Sequence, residues 1–134
     1  MAHLRIERYE PKVLVRLWGT ETFIAETDKY LGKLLHMNAG SKGGLQWHFE
    51  KDETFYLFAG TAWVRSDDGT GKLETIRMEA GESYHIPAGA AHQVEAISDC
   101  VFFEASTPHY DDRVRCEKEY GLVEEPGLPT TRGG

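Results

Sequence analysis

The stretch GGLQWHFEKDETFYLFAG, residues 43–60, decides how this chain is read. It places Gln46 and His48 two positions apart, adds Glu53 five positions later, and ends on Gly60 after a run that is mostly apolar and aromatic. Side chains of a β-strand alternate between faces, so Gln46 and His48 share one face. If FEKD makes a turn, Glu53 shares a face with Phe55 and Leu57 on the next strand, and three side chains able to ligate a metal converge.

The rest of the chain repeats that texture. KVLVRLWG, KLLHM, TAWVRS, KLETIRM, ESYHIP, HQVEAI and CVFFEAS are rich in β-branched and aromatic residues, and between them stand NAGSKGG, DDGTG, EAGE and PAGA. Many short strands joined by Gly-rich turns predict a sandwich, jelly roll or small barrel. DDGTG reads as the tip of a hairpin joining TAWVRS to KLETIRM. Only DDRVRCEKEYG, residues 111–121, reads as a short helix, with Asp111 or Asp112 as its N-cap and Gly121 as its stop. Residues 1–121 are thus expected to form one domain with an N-terminal strand and a short C-terminal helix, and the Pro/Gly-rich residues 122–134 a flexible tail.

Composition narrows the function. The chain has 134 residues, 15 basic and 22 acidic, for a formal net charge of -7, and no basic cluster that would suit a nucleic-acid backbone. Cys100 and Cys116 form no CxxC pair, so neither a zinc knuckle nor a disulfide framework is indicated and a reducing cytoplasm fits. The N-terminus has no apolar signal core, and no run of ~18 apolar residues suggests a membrane span.

A second stretch, GESYHIPAGAAHQVEA, adds His92 at the start of a returning strand. Together the two stretches resemble the paired motifs of the cupin superfamily. Gly40, Gln46, His48, Glu53 and Gly60 match G-x5-H-x-H-x4-E-x6-G, and Gly81, Pro87, Gly89 and His92 match G-x5-P-x-G-x2-H-x3-N. Gln46 replaces the first histidine and Ala96 the final asparagine. The chain also resembles the isomerase domain of the type II phosphomannose isomerases, through LWG at 17–19, LQWH at 45–48, AGTA at 59–62, YHIPAGAAH at 84–92 and YDDRVRCEKEYG at 110–121. The family's HHRxEH is here FEKDET, with Phe49, Glu50, Lys51 and Thr54 at its altered positions.

The resemblance implies an all-β, single-domain cupin jelly-roll barrel holding one divalent ion on Gln46, His48, Glu53 and His92. Zinc suits that mixed nitrogen and oxygen set, and manganese, iron, cobalt and nickel are compatible with it. It further implies a metal-dependent isomerase or epimerase of a small sugar or sugar phosphate. A metal-dependent dioxygenase or lyase, or a sugar-binding cupin without turnover, are the alternatives. His85, Glu104 and Lys33 are the candidates for proton transfer and substrate contact; Lys33 is expected on the face of Leu35 and Met37, and either Tyr84 or His85 faces inward. Trp47, Phe55 and Trp63 are either a sugar-stacking wall or core. His3, His36 and His109 read as ordinary histidines. Thr54, Tyr56 and Phe58 point away from the metal face and need cover, which predicts a homodimer through that sheet.

Overall fold

The computed structural model describes residues 3–122, 130 and 131. Eleven strands alternate with turns: β1 Lys12–Arg16, β2 Gly19–Glu26, β3 Leu31–Met37, β4 Gln46–His48, β5 Glu53–Ala59, β6 Thr61–Asp67, β7 Leu73–Glu79, β8 Ser83–Ile86, β9 His92–Ala96, β10 Cys100–Ser106 and β11 Arg113–Arg115. They form two antiparallel sheets, one ordered β1-β2-β3-β10-β5-β8 and the other β11-β4-β9-β6-β7. The jelly-roll expectation holds. Among the described residues no helix is long and apolar enough to cross a membrane.

Alternation sorts each strand into core and surface. On β5, Glu53, Phe55 and Leu57 are buried, while Tyr56 and Phe58 are exposed, as the quoted stretch predicts. On β10, Cys100, Phe102, Glu104 and Ser106 point inward. Leu57, Met78, Phe102, Ala62 and Val64 fill the space between the sheets, and the polar members of the same inward rows lie at one end of it. Gly60 closes the turn from β5 to β6 at φ 98, where a Cβ would stand 2.3 Å from the Asp99 carbonyl oxygen, so only glycine fits that turn.

The helix expected over 111–121 does not form. Val114 is buried between the half-buried Arg113 and Arg115, a two-residue period, and β11 pairs with β4 as an edge strand, Arg113 opposite His48 and Arg115 opposite Gln46. Asp112 directs its carboxylate to the backbone of residues 50 and 51 instead of capping a helix of its own. What survives is one 3-10 turn, Glu117–Tyr120, which Gly121 ends in the left-handed conformation at φ 73. Most of the tail expected over 122–134 lies outside the described residues; Thr130 and Thr131 hydrogen-bond to the backbone of Arg115 and Arg113.

The outer face of the six-stranded sheet is unlike the rest of the surface. One row crosses all six strands through Val13, Thr22, Leu34, Phe103, Tyr56 and Ser83, without a charged side chain. The other sheet carries ion pairs on its outer side, Arg65 with Glu95 at 2.7 Å and Arg77 with Glu79 at 2.7 Å.

The N-terminal strand is tied down by Glu26, whose carboxylate accepts hydrogen bonds from Lys12 at 2.8 Å, Tyr9 at 3.1 Å and Tyr110 at 2.6 Å. Bonds from Lys12 and Tyr110 lower its pKa from an ordinary 4.5 to about 2. A carboxylate whose folded pKa is depressed contributes stability above its unfolded pKa and loses it as pH falls through the folded value. The stability difference between wild type and Glu26→Gln, measured by urea unfolding, is therefore expected to be full at pH 5 and above and to shrink progressively toward pH 2. A difference that does not change with pH would show that the carboxylate's charge is not what holds the strand.

Candidate metal centre

Three strands bring the predicted ligands to one point. Gln46 and His48 come from β4, Glu53 starts β5, and His92 starts β9, opposite Gln46 in the register. Ligand atoms of His48, Glu53 and His92 all lie within 4.8 Å of one another. His48 Nε2 is 3.5 Å from Glu53 Oε2, and His92 Nε2 is 3.9 Å from Glu53 Oε1. The fourth candidate joins them by a different sign: Gln46 Oε1, His48 Nε2 and Glu53 Oε2 are buried polar atoms with no hydrogen-bond partner. Leaving such a group unsatisfied costs roughly 1–3 kcal/mol. The three residues line one cavity, and two oxygens with an imidazole nitrogen fit a divalent cation.

The second ring nitrogens set the tautomers. His92 Nδ1 donates to the Ala90 carbonyl oxygen at 2.9 Å, and His48 Nδ1 donates to Asp112 Oδ1 at 3.1 Å, so both Nε2 atoms present lone pairs to the cluster. Burial, helped by the Lys51 ammonium, holds the His48 imidazole below its ordinary pKa despite Glu53 and Asp112. Burial pushes the Asp112 carboxyl up, but the backbone N–H groups of Glu50 and Lys51, at 2.8 and 2.9 Å, outweigh it and the pKa falls. Asp112 is the residue that sequence reasoning misses. Its signal is the alternation of RVR after it, which marks a strand and frees the aspartate from a helix cap.

A cavity of about 220 Å³ opens on the cluster. One wall is a chain of alternating charges. Arg16 meets Glu21 at 2.9 Å, Glu21 meets Lys33 at 3.7 Å, Lys33 meets Glu104 at 3.7 Å, and Glu104 meets Lys51 at 3.1 Å. Lys51 in turn stands 3.3 Å from Glu53 Oε2 and forms an ion pair with it. Burial alone would lower the Lys51 pKa, but Glu104 and Glu53 raise it above its ordinary value. The same pairing works in reverse on Glu104, where burial is outweighed by Lys51 and Lys33 and the carboxyl is held low; Ser106 donates to it at 2.9 Å.

Of the residues expected around the site, Lys33 and Glu104 line the cavity and Lys33 shares the face of Leu35 and Met37. His85 does not. It points away from the ligand cluster, is exposed, and pairs with Asp52 at 2.8 Å, while Tyr84 takes the inward position. Trp47, Phe55 and Trp63 form no sugar-stacking wall: Phe55 is core, Trp47 packs beside a small cluster with Leu45 and Cys116, and Trp63 lies under Arg77 on the outer face. The aromatic residues that do line the cavity are Trp18, Phe23 and Tyr110, and His109, read as an ordinary histidine, lines it too.

Comparisons with known proteins agree with this architecture. The Cupin_2 family, described as Cupin domain, matches residues 33–105. Mannose-1-phosphate guanylyltransferase of Salmonella muenchen is 28% identical over 128 residues, which cover 92% of this chain and 26% of that protein. The chain thus spans about a quarter of the length of the curated relatives it matches first. Among solved structures, the capsular polysaccharide assembling protein CapF from Staphylococcus aureus superposes with a TM-score of 0.69 at 21% identity, covering 81% of this chain and 34% of that one. KdgF from Halomonas sp. superposes with a TM-score of 0.65 at 18% identity, covering 77% and 91%. Two facing sheets, a cluster of two histidines and a glutamate at one end, and a family match over more than half its length place the chain in the cupin family.

Proposed function

We propose that this cupin is a metal-dependent isomerase or epimerase of a small sugar or sugar phosphate. The observation that carries the reading is the buried cluster of His48, Glu53 and His92 ligand atoms, with Gln46 lining the same cavity, beside a wall of paired lysines and carboxylates. The similarity to proteins named mannose-1-phosphate guanylyltransferase supports the sugar class. Gln46, His48, Glu53 and His92 would hold the ion. A divalent cation bound there supplies Lewis acidity, drawing charge from a carbonyl and the neighbouring hydroxyl oxygen.

The chain's own residues supply the rest. The Lys51 and Lys33 ammonium groups donate to substrate oxygens on which negative charge builds. Glu104 is the base in this reading, because it lies inside the cavity and His85 lies outside. Held by two lysines, it is a weak base until a substrate oxygen takes over one of them. That clamp also favours a second reading, a sugar-binding cupin without turnover.

The metal half of the proposal is tested by elemental analysis and chelator competition. Wild type is expected to carry about one divalent ion per chain, His48→Ala and His92→Ala to lose it, and Asp112→Ala to weaken it by roughly 10–100-fold through the loss of ring orientation. Full retention of metal by both histidine variants would remove the site.

The chemical half is tested with aldose and ketose phosphates in deuterated water. Turnover without oxygen, with deuterium entering the carbon next to the carbonyl, is expected. Mannose 6-phosphate is expected to be a poor substrate, since Lys51, Phe49 and Thr54 replace an arginine and two histidines of the family pattern. Oxygen uptake in step with substrate loss would transfer the protein to the dioxygenase alternative, and binding without deuterium exchange to the non-catalytic one.

We further propose that the outer face carrying the charge-free row pairs two copies of this chain. Two molecules of net charge -7 repel each other, and this row is a surface where they can meet without opposing charges. Phe58 is 70% exposed and Phe103 is 37% exposed on that face. Sedimentation at micromolar concentration is expected to give a dimer for wild type and a monomer for Phe103→Lys. A monomeric wild type would refute the pairing.

A further inference from the structure

A sugar presents two kinds of surface, a rim of hydroxyl oxygens and a face of C–H groups. The paired lysines and carboxylates of the cavity wall, together with the ligand cluster, suit the oxygens. A C–H face needs something flat and apolar. The face of an aromatic ring fits it, because the ring quadrupole is negative there and the contact removes apolar surface from water on both sides. Trp18, Phe23 and Tyr110 line the cavity.

Two of these three rings are already engaged. Phe23 is buried, with Lys33 Nζ 4.8 Å from its ring centroid, and Trp18 packs against the apolar core. Tyr110 is different. Its ring stacks on Phe23, with centroids 6.4 Å apart and planes at 16°, yet it is 47% exposed, so ring surface stays open beside the cavity it lines. Its hydroxyl donates to Glu26 Oε2 at 2.6 Å. Stacked on Phe23 and tied through its hydroxyl, the ring has little rotamer freedom left to lose when a ligand arrives. The backbone is placed as well. At the start of the β10–β11 loop the Thr107 N–H donates to the Asp52 carbonyl oxygen at 3.0 Å, and at its end Asp112 holds the His48 ring. Tyr110 stands two residues before that aspartate, so one short anchored loop sets the ring's place relative to the ligand histidine.

We propose that Tyr110 is a sugar-stacking residue, whose open ring surface packs against the C–H face of a monosaccharide while the sugar's oxygens lie toward Gln46, His48, Glu53 and His92. The proposal deepens the sugar reading and rests on it for the ligand class. It differs from a purely structural role in what it requires. A tyrosine that only tied its loop to Glu26 would need its hydroxyl, whereas a stacking residue needs its ring. Tyr110 contributes no predicted metal ligand, so its replacement leaves the donor set intact.

The test is proton NMR titration of the metal-loaded protein with glucose, mannose, xylose and arabinose, each free and as its terminal phosphate. A proton held over the face of an aromatic ring resonates upfield of its free position. At least one sugar is expected to bind saturably at millimolar concentration or below, with upfield shifts confined to the C–H protons of one face. Tyr110→Leu keeps the apolar bulk but has no ring, and is expected to abolish those shifts and weaken binding by about tenfold. Tyr110→Phe loses the same hydroxyl tie and is expected to retain the shifts and most of the affinity. Metal content should be unchanged in both. Four results would each overturn the proposal: no saturable binding of any sugar, binding without the shifts, shifts that survive in Tyr110→Leu, or equal losses in the two variants. Deuterium exchange on the same samples separates this idea from the isomerase. Shifted, saturable binding without exchange keeps the stacking residue and sinks the isomerase, and exchange without the shifts does the reverse.

Discussion

The Asp112 carboxylate is held by three donors at once: the His48 ring at 3.1 Å and the backbone N–H groups of Glu50 and Lys51 at 2.8 and 2.9 Å. This one group joins β11 to the turn between β4 and β5. It orients the His48 ring so that Nε2 faces Glu53, and it shapes the turn that delivers Lys51 and Glu53 to the cavity. The rest of the site depends on that latch, because Lys51 then reaches Glu104, Glu104 reaches Lys33, and Lys33 reaches Glu21. A carboxylate that holds both a ligand's tautomer and the backbone carrying the next ligand makes the two inseparable.

Burying a chain of alternating charges is not a way to stabilise a fold. Desolvation offsets most of what each pair gains, and removing one member leaves its neighbour charged and unpaired at a cost of about 3–5 kcal/mol. Replacements combined along this wall should therefore be strongly non-additive. The apolar core below, built on Leu57, Met78 and Phe102, carries the fold, and the polar wall sits where the core gives way to the cavity.

Much of this is legible in the amino-acid sequence. Strict alternation from Glu53 to Phe58 and the glycine at 60 define β5 and its turn, and the spacing of Gln46, His48, Glu53 and His92 places the ligands. What escapes shares a physical cause. His85 is ambiguous because ESYHIP is equally readable in either parity, and only pairing of Thr54 with His85 decides it. Asp112 looks like a helix cap because capping is a local property, whereas its real partners lie some sixty residues earlier in the chain. Arg16 and Glu21 carry no motif, and their place in the cavity follows from which strand ends beside which.

The ligand set also has an order in time. Gln46 and His48 on β4 and Glu53 on β5 stand on facing sheets joined by one short turn, a short loop to close, while His92 arrives on β9, beyond the β6–β7 hairpin and β8, and Asp112 just before β11, beyond the last long strand. Loop closure favours the near contacts first. A cation held by His48, Glu53 and His92 would therefore meet an incomplete set of donors until β9 is in place, and full affinity would arise only with the last strands. Ion capture in such a barrel would be a late event that locks a topology already reached, in contrast to small metal-nucleated domains whose ligands come together at the start.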